Sequence, residues 1–171
     1  MRFKASAALS DVTIAAANML NVLAVALTAT TSARLPQTVK LRKLEAWAPP
    51  STDGTPVVLS VEDVAAGLGF SNSSRRVEDV TMGQNRPAHI VWKPSPLSLA
   101  SKWLDLNGSS IFRLNGPSGT TVDVHLSWVL QDGETPVSAG ALVGATAGQL
   151  YMRALDASGS GLLVPVSYVT L

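Results

Sequence analysis

An all-β domain is the class this sequence predicts, and three observations carry that expectation. The clearest is Thr120–Gln131, where Val122, Val124, Leu126, Trp128 and Leu130 alternate with Asp123, His125, Ser127, Val129 and Gln131. A repeat of two is the signature of a half-buried strand. Second, turn-forming clusters recur between such segments: Pro49-Pro50, Asp53-Gly54, Asn115–Gly119 and Asp156–Gly161. Third, one stretch alone has sustained helical spacing, whereas a parallel sheet needs a crossover helix between most of its strands.

Taken in order, Arg2–Ala8 reads as a strand with Phe3 and Ala5 on one face and Arg2 and Lys4 on the other. Thr13 is the expected N-cap of a buried helix, in which Ala16, Leu20, Leu23 and Leu27 share a face with Met19 beside them. The β-branched run at Thr28–Thr31 disfavours its continuation. In Thr38–Trp47, Val39 and Leu41 alternate with Lys40 and Arg42, and then the phase slips so that Leu44 and Ala46 take the other parity. A one-residue slip predicts a β-bulge near Arg42–Lys43.

Pro56–Glu62 is a strand with Val57, Leu59 and Val61 on one face. Ala65–Arg86 reads as a long surface connection, within which Gly67 and Gly69 mark a turn rather than a nucleotide loop. Pro87–Lys93 is a short strand closed by Pro94 and Pro96, and Ser98 caps a short helical turn through Leu104. Ser109–Leu114 and Thr120–Gln131 flank a Gly/Pro turn and read as a hairpin; Gln149–Leu155 and Leu162–Thr170 complete eight strands. The pattern fits a sandwich or jelly roll with two short helices in its connections.

Composition bounds the function. With 171 residues, 46% apolar and 15% charged, the chain can build one substantial core and is no disordered tail. There is no cysteine, hence no disulfide, thiol nucleophile or thiolate metal site, and two histidines, His89 and His125, are too few for a multi-histidine metal centre. Net charge is +1, but residues 1–47 carry +4 and residues 48–171 carry −3. The basic first quarter is where an anionic partner would be met.

Met1–Lys4 followed by an Ala/Leu/Val-rich run, with Ala24-Val25-Ala26 resembling a cleavage site, raises a secretory signal over residues 1–26. Asp11, Asn18 and Asn21 interrupt the run and leave Val22–Leu27 as its longest clean stretch, which favours a strand and buried helix and argues against a membrane span.

The sequence points to no enzyme. It contains no G-x-S-x-G elbow, P-loop, H-E-x-x-H or dinucleotide fingerprint. Asp123, His125 and Ser127 share a strand face, yet parallel side chains two positions apart do not aim a histidine at both partners, so a polar outer face is expected. His89, between apolar neighbours, reads as a packed histidine. Asp53, Asp63, Asp79, Asp105, Asp132 and Asp156 fall in loops or at element ends, where interface calcium is conceivable without any calcium-loop spacing. Trp47, Trp92, Trp103 and Trp128 read as packing residues, with no exposed cluster for stacking bases.

Several segments carry a resemblance: Val12–Asn21, Val39–Trp47, Pro87–Pro94 (Pro-Ala-His-x-x-Trp-x-Pro), Ser98–Trp103 and Val122–Gln131. Together they resemble the single jelly-roll capsid proteins of small icosahedral viruses, of the nodavirus- and tombusvirus-like shell type, a shell also seen in some small circular DNA viruses. The resemblance runs across most of the chain. It implies one shell domain over residues 1–171: eight strands in two facing four-stranded antiparallel sheets, and a structural subunit that assembles with copies of itself around a viral genome.

It further implies location in the virion, no membrane partner, and no cofactor beyond that interface calcium. Such proteins usually begin with an Arg/Lys-rich arm, whereas here the first strand starts almost at Met1. The chain is therefore expected to be a shell-domain piece, or to meet nucleic acid with surface charge alone. Arg2, Lys4, Arg34, Lys40, Arg42 and Lys43 are then the expected phosphate contacts, indifferent to sequence and sensitive to salt. Low charge and high apolar content in one β domain also leave apolar surface for neighbouring copies to cover. The competing expectations are a secreted β-sandwich binding module, for carbohydrate for example, with residues 1–26 as its signal, and more weakly a cupin-type enzyme.

Overall fold

A computed structural model describes residues 1–64, 75–105, 108–132, 135–156 and 161–166. The turn glycines Gly67 and Gly69, the middle of Asp156–Gly161 and the end of Leu162–Thr170 lie outside the described residues. The strands are β1 (Arg2–Ala5), β2 (Leu9–Ala15), β3 (Leu23–Ala26), β4 (Thr31–Arg34), β5 (Pro36–Ala48), β6 (Val57–Asp63), β7 (Arg76–Thr81), β8 (Ala88–Trp92), β9 (Ser110–Gly116), β10 (Thr121–Leu130), β11 (Ser138–Ala141), β12 (Leu150–Met152) and β13 (Leu163–Pro165). One helix, α1 (Ala16–Asn21), and a 3-10 turn at Leu99–Ser101 complete the described elements. The chain is mostly β and the sheets are antiparallel, as the alternation predicts.

Three sheets form among the described residues, rather than the two of four strands expected. Sheet A has the order β13-β1-β10-β5-β8, sheet B the order β2-β9-β6-β7, and sheet C the order β11-β4-β3-β12. Sheets A and B enclose the main core. Phe3, Leu44, Ala46, Val122, Val124, Ile90 and Trp92 from sheet A share it with Ile14, Leu59, Val61, Phe112 and Leu114 from sheet B. Trp92 and Phe112 meet across the sheets at 5.8 Å between ring centroids, inclined by 56°. Pairing is nested: β1 with β10, β2 with β9, β5 with β8, β6 with β7.

The predicted bulge is present. His125 pairs with Lys43 and Leu126 with Leu41, so Arg42 is the extra residue on β5. Leu41 and Leu44 both stay buried, while Arg42 and Lys43 both face outward. Without the extra residue, one half of β5 would turn its leucines to solvent.

The first corrected expectation is the helix. It ends at Asn21, and Leu23–Ala26 is a strand between β4 and β12, with Ala24 and Ala26 buried. An Ala- and Leu-rich run satisfies a period of two as well as 3.6, and ladder hydrogen bonds on both sides decide it. Leu27, assigned to the helix face, is exposed. Thr13 belongs to β2 opposite Arg113 and caps nothing; Ala15 precedes the helix, and its N–H donates to Asn18 Oδ1 at 2.8 Å. At Thr28–Thr31 the hydroxyl of Thr28 accepts from the N–H groups of Thr30 and Thr31, closing the β3–β4 turn.

The second correction concerns Ser109–Leu114 and Thr120–Gln131, which form no hairpin. β9 pairs with β2 and β6, and β10 pairs with β1 and β5. The Gly/Pro segment is a corner that carries the chain from sheet B to sheet A. Gly119 sits there at φ +81°, where a Cβ is disfavoured. The β1–β2 connection turns the same corner beside it. Ala5 N–H donates to Thr120 O at 2.8 Å, and Gly119 N–H donates back to Ala5 O at 2.9 Å.

The third correction is β7, which lies inside the stretch read as a long connection and pairs with β6 along its length. Half of its residues are exposed and Thr81 alone is buried, and its two valines, Val77 and Val80, fall on opposite parities, so it lacks the apolar alternation of a half-buried strand. The Ser98 cap stands as predicted, its Oγ accepting from Ala100 N–H at 3.1 Å.

Sheet C has its own small core of Ala26, Leu142, Ala145 and Tyr151. Arg153, which is buried, donates to the carbonyls of Ala139 and Ala141 and so ties β11 down. Burial lowers its pKa from the usual arginine value. Among the described residues, no helix is long and apolar enough to cross a membrane.

Candidate nucleic-acid interface

Alternation along β1, β5 and β10 decides which side chains leave the core. Phe3, Ala46 and Val122 point inward in one cross-strand row. Their neighbours in sequence therefore form the outer face of sheet A. One outer row runs Lys4, Thr121, Trp47, His89; the next runs Arg2, Asp123, Glu45, Val91. Beyond these come the His125–Lys43 pair, the bulged Arg42, and the Ser127–Lys40 pair. Five of the six predicted phosphate contacts, Arg2, Lys4, Lys40, Arg42 and Lys43, thus share one surface, although β1 and β5 lie far apart in sequence.

Arg34 does not join them. It sits on β4 in sheet C and is buried, and burial pushes its pKa below the usual arginine value despite the nearby Asp105 charge. Its Nε and Nη1 find no partner among the described residues. The assignment fails because β4 is covered on both faces: Ser32, Ala33 and Arg34 are all buried, so neither strand phase returns Arg34 to solvent.

Two of the five cations are paired. Arg2 Nε and Nη2 donate to the two carboxylate oxygens of Asp123 at 2.8 and 2.7 Å. That bond holds the Asp123 carboxyl below its usual pKa and raises that of Arg2. Lys43 pairs with Glu45. Arg42 Nε donates to the neutral Ser127 Oγ at 2.9 Å. Among the described residues, Lys4, Lys40 and Arg42 have no carboxylate partner. The face therefore keeps a positive balance of five cations against Asp123 and Glu45.

The same pairs resolve the Asp123/His125/Ser127 column. Asp123 turns to Arg2 and Ser127 to Arg42, which leaves His125 exposed between two occupied neighbours. This is the polar outer strand face expected of the alternation.

Two aromatic residues on this face, expected from the sequence to pack in the core, are not core residues. Trp47 and His89 stand opposite each other on β5 and β8 and stack with centroids 5.0 Å apart and planes 6° from parallel. The Arg2 guanidinium lies 5.8 Å from the Trp47 ring centroid. His89 is exposed rather than packed, and its backbone N–H donates to Asp79 Oδ2 at 2.8 Å. The signal lay in the parity of β5 after its bulge, which puts Trp47 on the same side as Lys43 and Glu45. Trp92 is the opposite case, fully inside the core.

The aspartates weighed for calcium are dispersed. The Asp53 carboxylate accepts from Ser51 and Thr55 and is lowered to about 2 by those bonds; Asp156 accepts from the N–H groups of Leu162 and Leu163. Asp63 is buried at the end of β6, and Asp79 holds His89. Among the described residues, no three carboxylate or histidine side chains group closely enough to hold a metal ion within one chain. Comparison of the chain with family models, with curated proteins and with solved structures gives no match.

Proposed function

We propose that this chain is a jelly-roll shell subunit that assembles with copies of itself into an icosahedral particle, the outer face of sheet A turned toward the enclosed nucleic acid. The observation that carries the reading is the nested pairing. β1, β2, β5 and β6 form one arm of a long hairpin, and β7, β8, β9 and β10 return along it in reverse order. Rolling that hairpin adds the β5–β10 and β6–β9 contacts and yields two four-stranded layers. That nesting supports the winding of an eight-stranded jelly roll, an architecture of viral capsid domains. Sheet C and β13 are additions to the roll.

The same winding serves lectins and cupins, so the fold alone does not choose a function. Two surface features favour a shell. The outer face of sheet A is positive and its cations sit on rigid strands, which suits sequence-independent phosphate contact. Large apolar side chains are exposed at a strand end and in connections: Val129 and Leu130 at the end of β10, Trp103, Met82 after β7, and Val143 beyond β11. Neighbouring copies would cover them. The secreted-module reading is less favoured, because residues 1–26 supply β1, β2, α1 and β3, with Phe3, Ile14, Met19 and Leu20 fully buried.

Negative-stain microscopy with size-exclusion chromatography across salt and pH tests the proposal. Large closed particles, or small oligomers that convert to them, are expected. A monodisperse monomer at high concentration in every condition refutes it.

A further inference from the structure

We infer that the Trp47–His89 pair is a stacking site for an unpaired nucleobase, so that the nucleic acid met by this face is single-stranded where it touches the protein. The inference rests on the proposed role of sheet A in genome contact and specifies the form of the ligand.

The geometry supplies the parts that such a site needs. Trp47 and His89 are coplanar within 6° and stand off the sheet at the same register position. β8 is the last strand of sheet A; β7 of sheet B approaches its backbone through Asp79, and 43% of the His89 side chain remains exposed, so part of the imidazole beyond Trp47 is open to a ligand. A base laid there extends the stack by one plane. The Asp79 carboxylate, by holding His89 N–H, fixes the backbone that carries the ring. Cations flank the stack: Arg2 lies over Trp47, and Lys4 occupies the same outer row. Lys43, Arg42 and Lys40 continue along β5 from there.

A π-face accepts any base, and flanking charge follows the backbone, which is how proteins hold single strands without reading sequence. A duplex keeps its bases stacked on each other and can use the cations alone.

The test measures fluorescence anisotropy of a labelled oligothymidylate and of a labelled duplex of equal length, with the full chain. The unmodified protein is expected to prefer the single strand. Trp47→Leu and His89→Ala are each expected to weaken single-strand binding about tenfold and to leave duplex binding unchanged. His89→Phe is expected to restore it. Since His89 is exposed on an edge strand, its variants keep the test valid if Trp47→Leu fails to fold. Equal affinity for both ligands in the unmodified protein, or an unchanged preference in His89→Ala, overturns the stacking site. If Lys40, Arg42 and Lys43 changed to Ala still weaken both ligands in that case, the basic-face reading stands. If the unmodified protein binds neither ligand, both fall.

Discussion

Arg2 and Asp123, 121 residues apart, close a two-pronged ion pair across β1 and β10. The bond joins two neighbouring strands of sheet A and lies on its outer face, where it also places the guanidinium beside Trp47. Structure and candidate interface therefore share a residue: a change at Asp123 alters both how β1 is held and how much positive charge the face presents.

The pH dependence of folding follows from this pair. Asp123 has a lowered pKa in the folded protein because Arg2 bonds the charged form. The lowered value means that its stabilisation is fully present above the ordinary aspartate pKa of about 3.9 and is lost as pH falls through the folded value. Thermal unfolding followed from neutral pH to about pH 3 is expected to show Asp123→Asn less stable at neutral pH, with the difference shrinking below about pH 4. A constant gap across that range would contradict the pairing.

Phe112 is fully buried and meets Trp92 across the sheets. Phe112→Ala leaves a cavity between them and is expected to cost about 3–5 kcal/mol in urea denaturation. A loss below about 1 kcal/mol, within the range of ordinary surface changes, would mean that sheets A and B do not close on each other as described.

Arg153 anchors β11 through two carbonyls. The small cluster of Ala26, Leu142, Ala145 and Tyr151 is separate from the main core, which β11 and β4 do not enter; sheet C reaches that core through Met152 of β12 and Leu23 of β3. Arg153→Met leaves those acceptors unpaired, at about 1–3 kcal/mol. Hydrogen exchange is expected to accelerate at β11 and β4 while β10 amides stay protected, because the main core is untouched. Equal acceleration in β10 would show that sheet C is no independent unit.

Arg42 makes two outcomes separable. Arg42→Ala keeps the bulge and is expected to fold normally, as judged by circular dichroism. Deletion of Arg42 forces either Leu41 or Leu44 off the core side and is expected to abolish soluble folded protein. A soluble, cooperative deletion variant would show that the register is not set at this position.

The basic face predicts a salt signature. Replacing Lys40, Arg42 and Lys43 with Ala is expected to weaken nucleic-acid binding whatever the sequence. It should also flatten the dependence of log affinity on log salt by about two units for a single strand. An unchanged slope would remove these residues from phosphate contact.

Much of this architecture is legible in the sequence where one face is buried and the strand is long. β5 and β10 show it best, and even the bulge at Arg42 can be read because two alternating runs differ in phase. Legibility fails where the pattern is short or degenerate. Leu23–Ala26 fits a helix as well as a strand, and Arg76–Thr81 is an edge strand with little to bury. The Asn115–Gly119 turn residues serve a sheet-to-sheet corner as readily as a hairpin, and only the partners of β9 and β10 tell them apart. The same rule governs the face: the sequence groups six cations, and the five on long or strictly alternating strands do share a surface, whereas Arg34, on four-residue β4, is buried away from them. Trp47 and His89 meet through a register that no local pattern encodes.

The closing of β1 on β10 also sets the timetable of folding. During synthesis the first strand emerges early and has no permanent partner until residues Thr121–Asp123 have left the ribosome. Until then Phe3 and Ala5 are greasy side chains without their burying partners, and the main core waits to close. Slow maturation and dependence on holding chaperones are the natural company of such a layout.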